Sequence, residues 1–430
     1  MPRSRDRNQR DTEWLVELVV ERIGARGDGI AEHDGEAVFL PFTVPGDRVR
    51  VQLGARRGGG REGRVVERLT FGGGRAKPPC SHFGHCGSCA LQHLDHASYR
   101  AFKLGALHGV LERVGIDPGL VLSLRTVAPA RRRARLGLMR PHDPQVLARV
   151  GFRERFRHDL VDLSECQVLE PGLFDLITEL RLVAHDLVPP GGTAALTLTR
   201  TDSGVDMLVE ASEQPGLGTL EALTGLAENC DLARIVWRSR ASEIYVVERR
   251  PVRLVLSGVV VPYPPGAFLQ ASQAAEAILV EEVLGGIGRR RPVLDLYAGL
   301  GAFTFALAAE GRVHAVEGDE RTAAALARAA ASLPGVTTER RDLAHNPLLP
   351  EALAGYAAAV FDPPRAGALR QAAALASSTI ATIVAVSCNP ATFARDAAEL
   401  VAGGFRIERI VAVDQFVWTP HLELAAVFRR

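Results

Sequence analysis

The chain has 430 residues, too many for one hydrophobic core, so two or three domains are expected. Its hydrophobic content of 47% is ordinary for a globular protein, and no apolar run approaches the ~18 residues that a membrane span needs. The first ten residues are charged and contain no apolar segment, so no secretory signal is expected and the protein is predicted to be cytoplasmic. In that compartment the six cysteines are expected to be ligands or nucleophiles, because thiols there stay reduced.

The net charge of +1 conceals two arginine-rich segments. Residues 48–75 hold eight arginines against two glutamates, and residues 131–157 hold nine against one aspartate and one glutamate. Arginine recognises phosphate and stacks on bases, and Phe152 and Phe156 are interleaved in the second segment. Both segments are therefore candidate surfaces for single-stranded nucleic acid, although any single arginine could equally be an ordinary surface charge.

The chain begins with short alternating segments separated by glycine and proline turns. They lie at residues 14–20, 36–40, 47–51 and 64–66. This pattern predicts a small antiparallel β-barrel over residues 10–72, followed by a linker at the three glycines that start at Gly72.

Beyond the linker the pattern changes twice. Residues 97–114 have helical spacing, whereas residues 120–261 are largely alternating, and from Gly266 onward helices and strands alternate along the chain. The sequence therefore predicts a multidomain α/β protein, in which the last domain is a doubly wound, Rossmann-like α/β fold. The predicted limits are 10–72 for the barrel, 76–96 with 120–262 for a β-rich central domain, and 97–119 with 263–430 for the α/β domain.

A cysteine-rich segment opens the predicted central domain. Cys80, Cys86 and Cys89 are separated by five and two residues, and Cys166 lies far downstream. Four thiolates brought together would satisfy either a tetrahedral zinc ion or an iron–sulfur cluster, and the spacing does not choose between them. Cys230 has no such neighbours and is predicted to be a core residue.

In the predicted α/β domain, reactive groups follow the strands. Cys388 lies in the motif 387–390 directly after the β-branched run 382–386, Asp362 comes after the run 357–361, and a glycine loop follows the strand that contains Asp295. The carboxyl ends of parallel strands line up along one edge of a sheet, which is where ligands bind. These groups are therefore predicted to converge on one crevice.

The glycine loop is not the dinucleotide fingerprint, because Thr304 stands where a third glycine would be needed. An adenosine with a small tail is therefore favoured over a pyrophosphate. Glu317 ends the next predicted strand and could hold ribose hydroxyls, and Asp342 ends a third strand and could reach the adenine. This layout fits S-adenosylmethionine, whereas Asp319 and Glu320 are predicted to cap a helix.

Taken together, these motifs resemble the uracil-C5 RNA methyltransferases that form 5-methyluridine. The closest resemblance is to the branch with an N-terminal TRAM domain, which binds RNA, and a four-iron, four-sulfur (4Fe-4S) cluster. It runs over nearly the whole chain. The segments that carry it are residues 40–47, 80–93, 268–272, 295–297, 317–318, 362–365, 387–390 and 421–424.

The resemblance implies a role for individual residues. Cys388 would be the nucleophile and Glu423 the general base, with Asp362 as a further catalytic group. The implied contacts of S-adenosylmethionine are Gln270, Tyr297, Gly299, Glu317, Asp342 and Asp362. The implied ligands of the 4Fe-4S cluster are Cys80, Cys86, Cys89 and Cys166. The family often has asparagine at the positions of Ser272 and Ala302, so one polar cofactor contact is missing here or is supplied by water.

The implied reaction is methylation of C5 of a specific uridine in RNA through a covalent bond between Cys388 and C6. Carbon C5 is a poor nucleophile until a thiolate adds at C6, and a base must then remove the C5 proton. Glu423 lies between Leu422 and Leu424, which would shield such a base from water. A paired uracil is inaccessible, so the target must be flipped or lie in a loop. The barrel, the central domain and the arginines at 131–135 are then expected to hold the RNA through phosphates and stacked bases.

Large-subunit ribosomal RNA is the target that the resemblance favours, and a uridine in the T-loop of transfer RNA is the alternative. A DNA or amino-group methyltransferase is disfavoured, because Arg365 follows the Asp-Pro-Pro motif where those enzymes usually have an aromatic residue. A non-catalytic RNA-binding protein with a redox-sensitive cluster is the remaining alternative.

Overall fold

The structure, a computed structural model, describes residues 15–430 apart from Pro144, Phe156 and His158. The predictions made for the charged start of the chain, for residue 14 and for Phe156 lie outside the described residues. The chain divides into two compact units, Met1–Ala106 with Trp418–Pro420, and Leu107–Val417 with His421–Arg430. Among the described helices, none has the length and apolarity required to cross a membrane.

The first unit contains one six-stranded sheet. Its strands are β1 (Leu15–Val19), β2 (Arg22–Ile23), β3 (Gly29–His33), β4 (Glu36–Leu40), β5 (Arg48–Arg57) and β6 (Gly60–Thr70). The strand order is β1-β5-β6-β4-β3-β2, and the β4–β6 pair is parallel whereas the other pairs are antiparallel. The predicted strands are thus confirmed. The pairings of the described residues leave β1 and β2 at the two edges of an open sheet, so the closed barrel stays a prediction.

The turn before β5 is held by Asp47, which is fully buried. Its carboxylate accepts hydrogen bonds from the N–H of Val44 at 3.0 Å and of Gly72 at 2.9 Å, and pairs with Arg68 and Arg75. A Cβ at Gly72 would lie 2.1 Å from a backbone oxygen of the turn. This glycine of the predicted linker is therefore required for close packing.

The cysteine-rich segment of the first unit leads into helix α1 (His96–Glu112), which confirms the helix predicted at 97–114. The Asp95 carboxylate accepts the N–H of Ser98 at 2.8 Å in its first turn. Buried side chains of this segment and of α1 pack together with Val44 of the turn; they are Ala90, Leu91, Leu94, Tyr99 and Phe102.

The second unit contains two large sheets, one for each half of its chain. The first is six-stranded, in the order β13-β12-β11-β10-β8-β9. Its strands are β8 (Arg133–Met139), β9 (Arg149–Gly151), β10 (Thr193–Thr201), β11 (Gly204–Glu210), β12 (Arg234–Arg238) and β13 (Glu243–Glu248), with helices α2 (Pro171–Phe174), α3 (Leu176–Leu187) and α4 (Leu217–Asn229). A two-stranded sheet follows, formed by β14 (Arg253–Leu256) and β15 (Val259–Pro262). The β-rich central region predicted from alternation is confirmed.

The other large sheet has eight strands in the order β18-β17-β16-β19-β20-β22-β21-β7. They are β7 (Val121–Thr126), β16 (Val293–Leu296), β17 (Val313–Glu317), β18 (Val336–Arg340), β19 (Ala358–Phe361), β20 (Thr382–Ser387), β21 (Arg406–Asp414) and β22 (Glu423–Arg429). The helices of this region are α5 (Gln273–Ile287), α6 (Ala302–Ala308), α7 (Glu320–Ala330), α8 (Leu369–Ala376) and α9 (Pro390–Ala402). Strands β16 to β20 are parallel, and β22 is antiparallel to both of its neighbours.

This strand order creates a crevice. The chain runs outward from β16 through β17 to β18, and then returns to the other side of β16 as β19 and β20. Such a reversal separates the loops at the carboxyl ends of β16 and β19, where ligands bind in sheets of this kind. The doubly wound domain predicted from the sequence is therefore confirmed.

One strand lies outside its predicted domain. Strand β7 pairs in parallel with β21 at the edge of the eight-stranded sheet, although the sequence placed residues 120–126 in the central domain. Alternation of apolar residues identifies a strand but not the sheet that it joins, so we place the boundary after Thr126.

Candidate active site

The loop after β16 has an unusual backbone. Tyr297, Gly299 and Gly301 have φ angles of 61°, 57° and 95°. A positive φ is uncommon for a residue other than glycine, so Tyr297 is held in this conformation by its surroundings. At Gly301 a Cβ would lie 2.5 Å from a ring carbon of Phe305, which explains why this position is glycine.

Glu317, the last residue of β17, is fixed against this loop. Its Oε2 accepts the N–H of Gly299 at 2.8 Å, and its Oε1 accepts the N–H of Asp319 at 2.8 Å. Each carboxylate oxygen has a second lone pair and can still accept a hydrogen bond from a hydroxyl group. Asp319 caps α7 by accepting the N–H of Thr322 at 2.9 Å, which confirms its predicted role.

Asp342 lies beyond the end of β18, in an exposed turn. Its carboxylate accepts the N–H of Ala344 at 3.0 Å and contacts Nδ1 of His345 at 2.8 Å, and the bond to His345 is the main reason that its pKa is lowered. Burial raises the pKa of Tyr297 to about 12, and the charges of Asp396 and Asp342 add to this effect. The predicted contact of Asp342 with the adenine stays a prediction.

Asp295, within β16, is fully buried. Its Oδ2 accepts a hydrogen bond from the Thr304 hydroxyl at 2.5 Å, whereas its Oδ1 has no partner in the described structure. Burial raises its pKa to about 7, and the charge of Glu317 adds to the shift. Thr304, which replaces the third glycine of a dinucleotide fingerprint, thus serves to hold this carboxyl group.

Cys388, Asp362 and Glu423 meet at the same edge of the sheet. Cys388 follows β20, Asp362 follows β19, and Glu423 begins the antiparallel strand β22, where Ser387 is paired with Leu424. Burial raises the pKa of the Cys388 thiol, and together with the charges of Glu423 and Asp362 it brings that pKa to about 11. The convergence expected from the sequence is therefore present.

The two carboxyl groups of this cluster are themselves perturbed. Glu423 is 2% exposed, and burial raises its pKa well above the ordinary value, with repulsion from Asp362 as a second cause. Asp362 keeps some contact with solvent, yet the surrounding protein raises its pKa to about 7, and Asp295 adds to this shift. The side chains of Glu317, Asp295, Asp362 and Glu423 thus form one series of interacting carboxyl groups along the edge.

Arg365 and Asn389 were not singled out as site residues from the sequence. Arg365 lowers the pKa of Cys388 and contacts Nδ1 of His421 at 3.1 Å. Asn389 caps α9 through the N–H of Ala391 at 3.1 Å, and its side-chain amide donates to the carbonyl of Arg365 at 3.0 Å. The loops that carry Cys388 and Asp362 are therefore joined. Arg365 and Asn389 could have been identified from the sequence, because they lie within the motifs 362–365 and 387–390.

Gln270 and Gln415 lie buried beside Glu423, with exposures of 6% and 5%. The Nε2 of Gln415 donates to Oε1 of Gln270 at 2.8 Å and to Oε2 of Glu423 at 2.7 Å. Gln270 was predicted as a cofactor or active-site contact, whereas Gln415 was missed because nothing local marks it as a buried polar residue.

The predicted cluster ligands lie in different units of the chain. Cys86 and Cys89 are buried and Cys80 is half-buried in the first unit, whereas Cys166 is half-buried in the second unit. The turn that carries them is tight, with the N–H of Cys86 donating to the carbonyl of His82 at 2.9 Å. Within the part of the chain that the structure describes, no group of three metal-binding side chains is drawn together. Cys230, predicted to be a core residue, is only half-buried at the end of α4.

Many arginines of the two basic segments have partners within the protein. Arg48 and Arg50 pair with Glu17, and Arg56 and Arg61 pair with Glu36. These pairs favour the interpretation of these four arginines as ordinary surface charges.

Arg132 lies within the segment 131–135 that was expected to face RNA, but it is only 7% exposed. Its Nε donates to the carbonyl of Gln270 at 3.0 Å, and it pairs with Glu276 at 2.7 Å. Arg132 is therefore corrected from a surface residue to a buried support of the site, whereas Arg135 is exposed and pairs with Glu210 at 2.9 Å.

Comparison with known proteins gives consistent matches. The family described as tRNA (Uracil-5-)-methyltransferase matches residues 350–430, which include Asp362, Cys388 and Glu423. An RNA methyltransferase of Brucella suis, described as uncharacterized, is 39% identical over 417 residues, covering 96% of this chain and 98% of that protein. The 23S rRNA (uracil(1939)-C(5))-methyltransferase RlmD of Chromohalobacter salexigens is 36% identical over 438 residues, covering 98% of this chain and 91% of that protein.

Among solved structures, the fold is similar to that of the Pyrococcus abyssi tRNA (uracil-54, C5)-methyltransferase in complex with S-adenosyl-L-homocysteine. The TM-score is 0.74 with 24% sequence identity, and the match covers 96% of this chain and 99% of that chain. The two proteins therefore share a similar fold over nearly the whole chain.

Proposed function

The chain belongs to the RNA uracil-C5 methyltransferase family, and from this premise we propose that it methylates C5 of a specific uridine in RNA. The observation that carries the proposal is the meeting of Cys388, Asp362 and Glu423 at one edge of the eight-stranded sheet. A thiol that can add to C6 and a shielded carboxyl group that can remove the C5 proton are the two groups that this reaction requires.

The methyl donor is S-adenosylmethionine, which supplies an electrophilic methyl group when it is bound. The loop after β16 and the Glu317 carboxylate fixed against it would hold the ribose, and Asp342 would reach the adenine. Tyr297 and Gln270 would complete the contacts. The Glu317 carboxylate supports a polar ligand there, because each of its oxygens accepts one backbone N–H and keeps a second lone pair for a hydroxyl group.

The residues of the site divide the reaction between them. With a pKa of about 11, Cys388 is a thiol at neutral pH and must lose its proton for addition to C6. The positive charge of Arg365 favours the thiolate. After C5 has been methylated, ionised Glu423 takes the C5 proton, and the electron pair released expels the Cys388 sulfur and restores the uracil ring. Burial suits Glu423 to this task, because a carboxylate with a raised pKa is a stronger base.

We propose large-subunit ribosomal RNA as the target, because a relative that matches nearly the whole chain is described as a 23S rRNA methyltransferase. Transfer RNA is the second candidate, because the matching family and the similar structure are both described as acting on transfer RNA.

The test is incubation of the purified protein with isotope-labelled S-adenosylmethionine and unmodified ribosomal or transfer RNA. Mass spectrometry of nuclease fragments then maps any 5-methyluridine. Label in one ribosomal fragment is expected. Label in transfer RNA alone would keep the reaction and change the target, whereas no label in either would contradict the proposed function.

A 4Fe-4S cluster held by Cys80, Cys86, Cys89 and Cys166 is a further part of the proposal, with zinc as the alternative metal. Four thiolate ligands can bind either a 4Fe-4S cluster or a zinc ion. Cys86 and Cys89 are buried at a tight turn, which supports a closed, structural metal site. We expect anaerobically purified protein to contain iron and sulfide, and Cys86→Ser to lose them, with Cys230→Ser as the control. Zinc without sulfide would support the alternative.

The remaining assignments follow from this function. The six-stranded sheet of the first unit is proposed to be a TRAM-like RNA-binding module within residues 10–72. The central region, 76–96 with 127–262, would carry the metal cluster, and 97–126 with 263–430 would be the catalytic domain of a protein that acts in the cytoplasm.

A further inference from the structure

Gln415 directly follows β21 and uses all of its side-chain hydrogen-bonding groups within the site. Its Nε2 donates both hydrogens, one to Oε2 of Glu423 at 2.7 Å and one to Oε1 of Gln270 at 2.8 Å. Its Oε1 accepts the N–H of Ala271 at 3.1 Å. One side chain thus joins the proposed base, a proposed cofactor or active-site contact and the backbone between β15 and α5.

These three bonds permit only one orientation of the Gln415 amide. If the amide were flipped, its oxygen would face two acceptors, on Glu423 and Gln270, and its NH₂ group would face the N–H of Ala271. A buried polar group without its partner costs about 1 to 3 kcal/mol, so the observed orientation is strongly favoured.

The backbone that sets this orientation is itself anchored by a buried charge. Arg132 donates its backbone N–H to the carbonyl of Ala271 at 2.9 Å and its Nε to the carbonyl of Gln270 at 3.0 Å. Its ion pair with Glu276, at 2.7 Å, fixes the guanidinium group to the first turn of α5. The backbone that Gln415 contacts is therefore held at two successive carbonyl groups by Arg132.

Two consequences follow for the groups that Gln415 contacts. Because one lone pair of Oε2 of Glu423 accepts this hydrogen bond, Oε1 is the more available oxygen to receive or carry a proton. Because Oε1 of Gln270 accepts the other hydrogen, the Nε2 of Gln270 is left to donate to a ligand. The second point means that Gln270 presents a donor to whatever occupies the crevice.

We infer that Gln415 is a positioning residue for the proton-transfer step: it holds Glu423 with Oε1 available to take the C5 proton and fixes Gln270 as a donor. This inference rests on the proposed function, since it assigns Gln415 a part in the removal of the C5 proton. It predicts that loss of Gln415 impairs release of the covalent adduct more than its formation.

The simpler interpretation is that Gln415 only stabilises the fold. Gln371 provides the matched control, because it is equally buried and also makes two side-chain hydrogen bonds, but to the N–H and carbonyl of Leu348. Gln371→Met should lower stability without changing adduct release.

The experiment mixes full-length protein with unmodified RNA and S-adenosylmethionine under single-turnover conditions between about pH 6 and 9. The covalent protein–RNA adduct is then quantified over time on denaturing gels. We expect Gln415→Met to form the adduct normally and to release it about 10- to 100-fold more slowly, as expected for loss of a hydrogen bond to a charged group.

The pH dependence of adduct release distinguishes a role of Gln415 in positioning Glu423 from a role in stabilising the fold. The hydrogen bond from Gln415 lowers the pKa of Glu423, so its removal raises that pKa further. Release of the adduct requires ionised Glu423, so the release rate increases as the pH rises through the pKa of Glu423. This increase in rate should occur at higher pH in Gln415→Met, but not in Gln371→Met. Gln415→Asn keeps an amide on a shorter side chain and should show an intermediate shift of the pH profile. It provides a second test in case Gln415→Met does not fold.

The outcomes distinguish this inference from the proposed function. If the wild-type protein forms no adduct and transfers no methyl group, the proposed function fails. If the wild-type protein is active and both Gln415 variants release the adduct at the wild-type rate with the wild-type pH profile, only the assignment of Gln415 is overturned.

Discussion

At Cys388, burial opposes the chemistry that the position is proposed to perform. The thiol is half-buried and interacts with the charges of Glu423 and Asp362, so it is protonated at neutral pH in the absence of RNA. Ionisation of either carboxyl group makes the thiolate less favourable, whereas Arg365 makes it more favourable. A nucleophile that stays protonated until RNA binds is protected from oxidation, because the thiolate is the form that is oxidised.

Replacing Cys388 with alanine should abolish both covalent capture of RNA and methyl transfer, because no other group at this edge can add to C6. Methyl transfer and adduct formation are measured with unmodified RNA. Cys230→Ala is the matched control, since it removes a half-buried thiol from the end of α4 and should leave both activities unchanged. Methylation by the Cys388 variant would contradict the assignment of the nucleophile.

Glu423→Gln should accumulate a methylated covalent adduct, because the amide cannot take the C5 proton. In the wild-type protein, Glu423 must be ionised for release, and its raised pKa means that turnover falls as the pH is lowered through that pKa. Adduct mass and turnover as functions of pH are the measurements. Normal turnover by the variant would remove Glu423 from the mechanism.

At the scale of elements, strand ends and the turns that follow them deliver the reactive groups. Strands β16, β17, β19 and β20 are parallel, so Asp295, Glu317, Asp362 and Cys388 all reach one edge. The antiparallel strand β22 brings Glu423 to the same edge from the opposite direction. The turn at Asp47 has the corresponding role in the first unit, where one carboxylate joins two separate backbone segments.

Asp47→Asn should destabilise the first unit by about 3 kcal/mol, the cost of breaking a buried ion pair. The amide loses the charge that offsets Arg68 and Arg75, and its NH₂ group must face one of the two N–H donors that the carboxylate accepts. Hydrogen exchange of β4 and β5 in the full-length protein is the measurement. Glu17→Gln, which removes an exposed acidic partner of Arg48 and Arg50, should leave this exchange nearly unchanged, because exposed ion pairs contribute little. Equal exchange in the two variants would refute this role of Asp47.

At the scale of the whole molecule, the net charge of +1 reflects a balance in which described arginines of the basic segments pair with carboxylates, such as Arg48 with Glu17 and Arg56 with Glu36. Arg149 and Arg153, in the second basic segment, are exposed. Arginines that contact phosphate contribute an affinity that falls with salt concentration, because binding releases counterions.

Replacing Arg149 and Arg153 together with glutamine should weaken RNA binding and reduce the slope of log affinity against log salt by about 1 to 2. Titration of labelled RNA at several salt concentrations measures both quantities. The control replaces Arg249 and Arg250, which pair with Asp231 and lie outside both basic segments, and should leave the slope nearly unchanged. An effect of the control as large as that of the first variant would count against the proposed surface.

Much of the fold could be predicted because it depends on local patterns. The strands that end at Glu317 or just before Asp362 and Cys388 are short runs of β-branched and apolar residues, and their alternation with helices indicates a doubly wound sheet. The assignment of β7 could not be predicted in this way, because its partner β21 lies almost 300 residues later in the chain.

The sequence by itself determined the kind of chemistry, since Cys388, Asp362, Glu317 and the glycine loop stand at strand ends that any parallel sheet must bring together. Only the tertiary structure decided the protonation states, the burial of Arg132 and the hydrogen bonds of Gln415. The physical reason is that burial, charge interactions and long-range hydrogen bonds depend on which distant residues surround a group, and no local pattern contains that information.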